Sequence, residues 1–389
     1  MGISSGSSSQ TRWGDTFLRD YCKLNAVTRP DNSPMPRIDD LLEKLGWAQF
    51  ISTLDLTKGY WQVPLDECAK ERSAFTTHLG LYEFNVLPFG LRNAPTTFQR
   101  PVDGLLAGLG DYAVAYLDNV AIFSDSWAEH LEHLQKVLEH IREAGLIVKT
   151  KKCQIGLNRV TYLGHQVGQG TISPLQDKVD AIQKWPAPKS KKQVQSFLGL
   201  AGYYRRFVML YSQIAAPLTD LTKKKQPNAV QWTKKCQKAF NQLKATLMSD
   251  PVLRAPDFDK PFLVTTDVSE RGVGVVLTQK GADQEFHPVV FLSKKLSERE
   301  SNWSASEKKC YAIVYALEKL RPYVWGRRFH LQTDQAALQW LHTATGNNKK
   351  LIQWSLALQD FGFDIQHISG ASNKVADALS CESFPESTG

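Results

Sequence analysis

The chain has 389 residues, of which 42% are hydrophobic and 22% are charged. This length and composition allow two or three hydrophobic cores and exclude a largely disordered protein. The net charge of +8 favours a polyanionic partner, although a basic surface without a partner stays open as the alternative.

Cysteine usage and hydropathy narrow the class of protein further. The six cysteines are scattered and include no CxxC pair, so neither a zinc site nor a disulfide framework is indicated. No apolar run approaches the roughly 18 residues that span a bilayer. The opening MGISSGSSSQ lacks the apolar core of a signal peptide. We expect an intracellular protein of the cytoplasm, or alternatively the nucleus, with no membrane partner.

The first elements in chain order are a helix and a strand. Residues 1–12 are rich in serine and glycine and are predicted to be disordered. Residues 36–45 carry apolar side chains on one helical stripe, which predicts a short amphipathic helix. Residues 50–56 then alternate between apolar and polar, which predicts a strand that ends at Asp55.

The stretch DYAVAYLDNVAIFSD, residues 111–125, contains two apolar runs separated by Asp118 and Asn119. This pattern predicts a β-hairpin in which Asp118 and Asn119 form the two-residue turn. An ordinary turn, in which these residues serve only the backbone, is the alternative. Asp55 also stands at a strand end, and two such acids side by side could hold a divalent metal for phosphoryl transfer.

Helical patterns follow the hairpin. Residues 127–145 predict a long helix, with Leu131, Leu134, Leu138 and Ile141 recurring three and four positions apart. Residues 171–251 are helical and basic, and SKKQ at residues 190–193 is typical of a capping box. The segment VQSFLGLAGYYRRFV then mixes aromatic residues with Arg205 and Arg206. Aromatic residues at this spacing more often form a core, but the basic pair favours contacts with phosphates.

The C-terminal third begins with strands and continues with alternating helices and strands, which is typical of an α/β domain. The predicted strands are residues 262–267, 272–278, 329–334 and 363–368. The predicted helices are residues 304–321, 334–342 and 372–380. No internal repeat is visible.

Several acids in this third stand at or near the ends of predicted strands and helices, where an ordinary structural role would explain them. Glu307 completes the capping box Ser304-Ala-Ser-Glu, yet it also shares a stripe with the apolar face of its helix. Asp334 could be an N-cap and Asp377 a surface acid, and Asp267 ends the predicted strand 262–267. If the four meet, a cluster of carboxylates needs cations.

Four blocks, STLDLTKGYWQ, LYEFNVLPFGLRNAPTTFQR, YLDN and YLGHQV, resemble the reverse transcriptases of gypsy-type LTR retrotransposons. The resemblance covers about residues 17–380. It implies an α+β right-hand polymerase palm and partial fingers with a helical thumb, followed by an α/β ribonuclease H-like domain. The implied divisions are a lead (1–12), truncated fingers and palm (13–170), thumb and connection (171–254), ribonuclease H domain (255–381) and tail (382–389).

The resemblance assigns roles to the front half of the chain. The metal ligands of the palm would be Asp55 and Asp118, the nucleotide pocket would be Tyr60, Phe89, Gly90 and Tyr116, and the nucleic-acid contacts would be Tyr162, Gly164, His165, Arg205 and Arg206. The family signature reads YxDD, but here Asn119 replaces the second acid and brings no charge. Thr16 likewise stands where the family has an arginine for the nucleotide phosphates. We therefore expect weak or absent polymerisation.

The rear half is predicted to retain its catalytic acids. By resemblance, Asp267, Glu307, Asp334 and Asp377 hold two Mg²⁺ ions, which Mn²⁺ could replace, and cleave the RNA strand of RNA/DNA hybrids. His367 matches a histidine that aids product release or proton transfer, although a structural role is the more common one at a strand end.

Two rival interpretations stay open. One is an active RNA-directed DNA polymerase that tolerates Asn119, binds dNTPs and extends a primer–template. The other is a non-catalytic hybrid-binding relic or a host-adopted protein. A homodimer and association with an element's particle are further expectations that the sequence does not decide.

Overall fold

The computed structural model describes residues 20–249, 251–270, 272–333 and 349–367. Contacts divide the chain into two compact units, Met1–Gly170 and Thr171–Gly389. Thr16, Asp334 and Asp377 lie outside the described residues, and so do the predicted helices 334–342 and 372–380. Within the described part of the chain, no helix combines the length and the apolar character needed to cross a bilayer.

The first unit is built on an antiparallel sheet with the strand order β4-β5-β1-β6. Its strands are β1 (Phe50–Asp55), β2 (Phe75–Thr77), β3 (Gly80–Tyr82), β4 (Ala113–Tyr116), β5 (Asn119–Ser124), β6 (Gln154–Leu157), β7 (Arg159–Tyr162) and β8 (His165–Gly168). Its helices are α1 (Cys22–Val27), α2 (Ile38–Gly46), α3 (Glu67–Ser73), α4 (Ala94–Leu105) and α5 (Trp127–Glu143). Strands β2 and β3 form a separate antiparallel pair, and β7 and β8 also pair with each other in antiparallel orientation.

Helices α4 and α5 cover the sheet and enclose the first core, which includes Leu54, Phe98, Val120, Ile122 and Val137. Burying apolar side chains of this size contributes roughly 1.5–3 kcal/mol each. The core therefore fixes the central strands β1 and β5, whose ends carry Asp55 and Asn119.

The long helix α5 forms as predicted, but only part of the predicted stripe, Leu134 and Ile141, packs against the core. His130, Val137 and Ile141 are buried, whereas Leu131 and Leu138 are 49% and 41% exposed. Periodicity alone identifies an amphipathic helix. The position of the sheet decides which side chains meet the core.

His130 connects α5 to the two central strands through a chain of hydrogen bonds. The Gly156 N–H donates to the Ser52 hydroxyl (2.9 Å), which lies 2.7 Å from His130 Nε2. Nδ1 of the same ring lies 3.0 Å from the Ser124 hydroxyl, which is in turn 2.8 Å from His133 Nδ1. Each serine hydroxyl can both donate and accept, so a neutral His130 can bridge Ser52 and Ser124 in either tautomer.

The second unit combines a helical segment with a five-stranded sheet of order β13-β12-β11-β14-β15. Its strands are β9 (Thr171–Pro174), β10 (Leu253–Arg254), β11 (Phe262–Val268), β12 (Gly272–Lys280), β13 (Phe286–Lys295), β14 (Phe329–Thr333) and β15 (Phe363–His367). Its helices are α6 (Gln176–Gln183), α7 (Lys191–Tyr203), α8 (Tyr211–Ile214), α9 (Ala216–Asp220), α10 (Lys234–Met248), α11 (Glu298–Ser301), α12 (Ala305–Val324) and α13 (Lys349–Gln359).

In this sheet β11, β12 and β13 are antiparallel, whereas β14 and β15 run parallel to β11. Helix α12 packs on the sheet and buries Cys310, Ile313 and Leu317. The strands near residues 262 and 272 are present where the alternation predicts them, but β13 and α13 have no predicted counterpart. The aromatic residues of α7 and the turn after it mostly form core: Phe197, Tyr204 and Phe207 are buried, and Tyr203 is exposed.

Candidate functional site

The turn of the β4–β5 hairpin, which carries Asp118, lies one residue earlier in the chain than predicted. Tyr116 pairs with Asn119, so the two-residue turn is Leu117–Asp118 and Asn119 is the first residue of β5. Leu117 has a φ of +54°, which a two-residue hairpin turn requires and which leucine seldom adopts. The predicted Asp118–Asn119 turn is therefore wrong by one position, and Asn119 faces Asp55 across the sheet.

Gln99 of α4 stabilises this unusual turn and was not singled out from the sequence. Its side-chain carbonyl accepts the Leu117 N–H at 2.7 Å, and its Nε2 donates to the Ala115 carbonyl at 3.2 Å. The side chain is only 2% exposed, so both bonds are shielded from water. A glutamine 18 residues upstream carries no local sequence signal for this role.

Asp55 at the end of β1 and Asp118 at the hairpin turn each bind a neighbouring side chain. Lys152 Nζ lies 3.0 Å from Asp55 Oδ2, and Asn119 Nδ2 donates to Asp118 Oδ1 at 3.2 Å. Burial raises the pKa of the Asp118 carboxyl, and the neighbouring Asp55 raises it further. Among the described residues, no group of three His, Cys, Asp or Glu side chains is placed to hold a metal. Two carboxylates are oxygen donors of the kind Mg²⁺ prefers, whereas Asn119 offers an amide oxygen that carries no charge.

The residues of the predicted nucleotide pocket do come together. The Tyr60 ring lies 5.2 Å from the Phe89 ring and 5.6 Å from that of Phe98. Burial raises the pKa of the Tyr60 hydroxyl, with smaller contributions from Asp118 and Tyr116, so these groups share one environment. Gly90 has a φ of +93°, and its carbonyl accepts a hydrogen bond from an asparagine side chain of α1.

The predicted primer-binding hairpin is present as β7 and β8, joined by Leu163–Gly164, with φ of +45° and +71°. Tyr162 is 1% exposed and donates from its hydroxyl to the Asn119 carbonyl at 3.2 Å. His165 is also buried, and burial raises the pKa of the Tyr162 hydroxyl. The Tyr162 hydroxyl thus binds the strand of Asn119, the His165 ring binds the Leu163 carbonyl within the hairpin, and Gly164 at the turn is partly exposed.

The two arginines that follow α7, Arg205 and Arg206, differ in their exposure to solvent. Arg205 is exposed, whereas Arg206 is only 6% exposed. The position of Arg206 does not support the predicted phosphate contact, since a buried guanidinium cannot reach a ligand in solvent. Arg205 remains the candidate.

Of the predicted ribonuclease H site, called the rear site below, the structure describes only Asp267 and Glu307 among the four acids. Asp267 lies near the end of β11, opposite Gly274. Glu307 is at N3 of α12 in a complete capping box: its backbone N–H donates to the Ser304 hydroxyl (3.2 Å), and its carboxylate accepts from the Ser304 N–H (2.9 Å). Lys350 Nζ lies 2.9 Å from Glu307 Oε1. Lys350, followed by the Ser304 N–H, lowers the pKa of the Glu307 carboxyl, so it is an anion at neutral pH.

The rest of the predicted quartet lies outside the described residues, as noted above for Asp334 and Asp377. His367 ends β15 opposite Thr333, and nothing further of its side chain is described. The two described acids fit Mg²⁺ in the chemistry of their donors, because both are carboxylates and one of them already binds the ammonium of a lysine. Lys152 and Lys350 were not predicted as partners, since they are 97 and 43 residues away in the sequence from the acids they bind.

Comparison with known proteins assigns both halves of the chain. Residues 15–167 match the family described as reverse transcriptase (RNA-dependent DNA polymerase), and residues 232–331 match the RNase H-like domain found in reverse transcriptase. The fold is similar to the foamy viral protease-reverse transcriptase in complex with dsDNA, with a TM-score of 0.77 and 25% identity over 90% of this chain and 74% of that one. The same viral protein in complex with RNA/DNA hybrid gives a TM-score of 0.77 at 24% identity, over 95% of this chain and 50% of that one. The chain is thus a reverse transcriptase domain followed by an RNase H-like domain, and the predicted fold class is confirmed.

The relatives place it more narrowly. It is 42% identical over 362 residues to the retrovirus-related Pol polyprotein from transposon 297 of Drosophila melanogaster, which covers 93% of this chain and 34% of the relative. It is 38% identical over 375 residues to that from transposon gypsy of the same species, covering 93% and 36%. The chain spans about a third of the length of these relatives. It belongs to the Pol proteins of LTR retrotransposons, and the gypsy-type resemblance is confirmed.

Proposed function

We propose that this chain cleaves the RNA strand of RNA/DNA hybrids at its rear acids and that DNA synthesis at its palm is impaired. The proposal rests on a difference in charge between the two sites. At the palm, Asn119 donates a hydrogen bond to Asp118 where the family has a third carboxylate. In the RNase H-like domain, Glu307 is held as an anion in the first turn of α12, a helix with one buried face.

The rear site would consist of Asp267, Glu307, Asp334 and Asp377. Strands β11 and β14 are parallel, with Thr265 opposite Gln332, so their carboxyl ends meet at one edge of the sheet. Asp334 directly follows β14 in the sequence, which supports its inclusion. These acids would hold Mg²⁺, which when bound supplies an activated water and stabilises the leaving 3′-oxygen.

The chain's own contribution is to position and charge these ligands. The capping box fixes the backbone and carboxylate of Glu307 together, so the acid cannot rotate freely. Lys350 balances the carboxylate's charge beside the core. His367, at the end of β15, is proposed to assist product release or proton transfer.

The proposed substrate follows from charge and from the neighbouring structures. The net charge of +8 suits a duplex of phosphates, and Arg205 is exposed in the helical segment that would lie along it. The foamy viral proteins of similar fold are described in complex with RNA/DNA hybrid and with dsDNA. The palm and thumb would then hold the hybrid for the rear site.

A working polymerase is the second candidate, and one observation favours it. The aromatic pocket around Tyr60 is assembled next to Asp118, as nucleotide binding would require. The missing charge at Asn119 and the amide donor on Asp118 weigh against efficient synthesis.

One reaction tests both candidates. A hybrid with labelled RNA and labelled primer is incubated with Mg²⁺ and dNTPs, and shortening and lengthening are scored together. We expect RNA cleavage that Asp267→Asn abolishes, and little extension. Cleavage that survives Asp267→Asn would refute the rear site, and robust extension by the unaltered chain would refute the impairment of the palm.

A further inference from the structure

The ammonium of Lys350, which binds Glu307, also lies over two aromatic rings. Its ammonium lies 3.8 Å from the centroid of Trp303 and 5.0 Å from that of Trp354. The two rings are 5.5 Å apart in a T-shaped arrangement, and Tyr311 packs against both. The negative face of an aromatic ring attracts a cation. The Lys350 ammonium therefore has two binding places, the carboxylate and the rings, side by side.

The chain positions these groups by local geometry. Trp303 immediately precedes the N-cap Ser304, and Glu307 follows one turn later, so the ring and the acid share the start of α12. Trp354 is four residues after Lys350 on α13, and residues at that spacing lie on one helical face. The ion-pair side chains are 32% and 22% exposed, so the contact is partly shielded from water.

We propose that Lys350 is the resident counter-cation of the ribonuclease H site. Its ammonium balances Glu307 when no metal is bound, and it withdraws onto the Trp303 and Trp354 rings when a divalent ion takes the carboxylate. This inference rests on the proposed function, since it requires Glu307 to be a metal ligand. It follows from competition: an ammonium and a divalent ion cannot both occupy the same carboxylate oxygen without repelling each other.

Lys350 therefore has two opposing effects. It lowers the free energy of the metal-free protein, because an anionic cluster beside the core needs a cation. It also weakens metal binding, because the incoming ion must displace it. A purely structural ion pair would stabilise both states alike and leave metal affinity unchanged.

The chain offers a matched control in the same domain. Lys294 Nζ lies 2.8 Å from Glu300 and 4.5 Å from the Tyr311 ring centroid. This pair has the same chemistry and similar exposure, but it contacts none of the proposed metal ligands. Lys294→Met removes the same charge without relieving competition at Glu307.

The test is direct Mn²⁺ binding to the full chain, followed by the electron paramagnetic resonance signal of free Mn²⁺. The sites lost in Asp267→Asn define the ribonuclease H binding. We expect Lys350→Met to bind Mn²⁺ there about tenfold more tightly than the unaltered chain. Lys350→Arg keeps the cation and Lys294→Met leaves Glu307 untouched, so both should keep the original affinity.

Melting in EDTA supplies the second readout. Lys350→Met should melt at a lower temperature than the unaltered chain in EDTA and gain more from saturating Mn²⁺. If Lys350→Met does not fold, Lys350→Gln, which is neutral but can donate a hydrogen bond, should show the same tighter binding. If a folded neutral variant binds Mn²⁺ with unchanged or weaker affinity, the counter-cation role of Lys350 is refuted, but the proposed metal site is not. Mn²⁺ binding that Asp267→Asn leaves intact overturns the metal site and this inference with it.

Discussion

Replacing Asn119 with aspartate should restore activity at the palm and destabilise the metal-free protein at the same time. The new carboxylate would replace the amide that now donates to Asp118 and would stand opposite Asp55 in the sheet. Three acids would then lie near Lys152, which binds Asp55 and also lowers the pKa of Asp118. Both expected effects have the same origin in charge.

The magnitude follows from Coulomb's law. Two unit charges 4 Å apart repel by about 4 kcal/mol at an effective dielectric of 20. Burial and Asp55 already raise the pKa of Asp118, so this acid would take up a proton and limit the cost. Each unit of pKa shift corresponds to about 1.4 kcal/mol. We expect Asn119→Asp to lose about 1–3 kcal/mol in EDTA at pH 8, with the loss disappearing as the pH falls and the acids protonate.

When a divalent ion is bound, the carboxylate added by Asn119→Asp stabilises the protein instead of destabilising it. A unit charge 4 Å from a divalent ion is worth roughly 8 kcal/mol at the same dielectric, and solvent removes more than half of this. The remainder corresponds to about two to three decades in rate. Urea unfolding in EDTA and in Mg²⁺, with primer extension on an RNA template, measures both effects.

Asn119→Ala is the matched control, because it removes the hydrogen bond to Asp118 without adding charge. It should recover no extension and no Mg²⁺-dependent stability. If Asn119→Asp is as stable as the unaltered chain in EDTA and extends no primer, the missing charge is not what limits the palm.

Three further predictions concern the core, the duplex and the nucleotide pocket. His130→Ala should lower the free energy of unfolding by about 2–4 kcal/mol in urea, because it leaves a cavity and the Ser52 and Ser124 hydroxyls without their ring partner. Burial lowers the pKa of His130, so the unfolded chain binds a proton more readily than the folded one. The stability of the unaltered chain should therefore decrease as the pH falls through about 6.5, whereas that of the variant should not. Parallel profiles of stability against pH would contradict this. Arg205→Ala should reduce the slope of log affinity for hybrid against log salt by about 1, and an unchanged slope would exclude a phosphate contact. Tyr60→Ala, combined with Asn119→Asp, should admit ribonucleotides in extension assays, and unchanged sugar selection would count against the assignment of the pocket.

Much of the local structure could be predicted because it depends on neighbouring residues. The strand that ends at Asp55, the long helix after Ser126 and the capping box of Glu307 each follow from spacing over a few positions. The ordered motifs around Asp118 also indicated the family, and comparison confirmed it. The loss of an acid at Asn119 is legible directly in the sequence.

Tertiary structure decided which distant groups neutralise and position those residues. Lys152 and Lys350 bind acids far away in the sequence, and Gln99 supports a turn that its own helix does not contain. The exposed leucines of α5 and the buried Arg206 show the same limit. Periodicity and charge state what a side chain can do, but burial and partners depend on contacts between segments that no local pattern encodes.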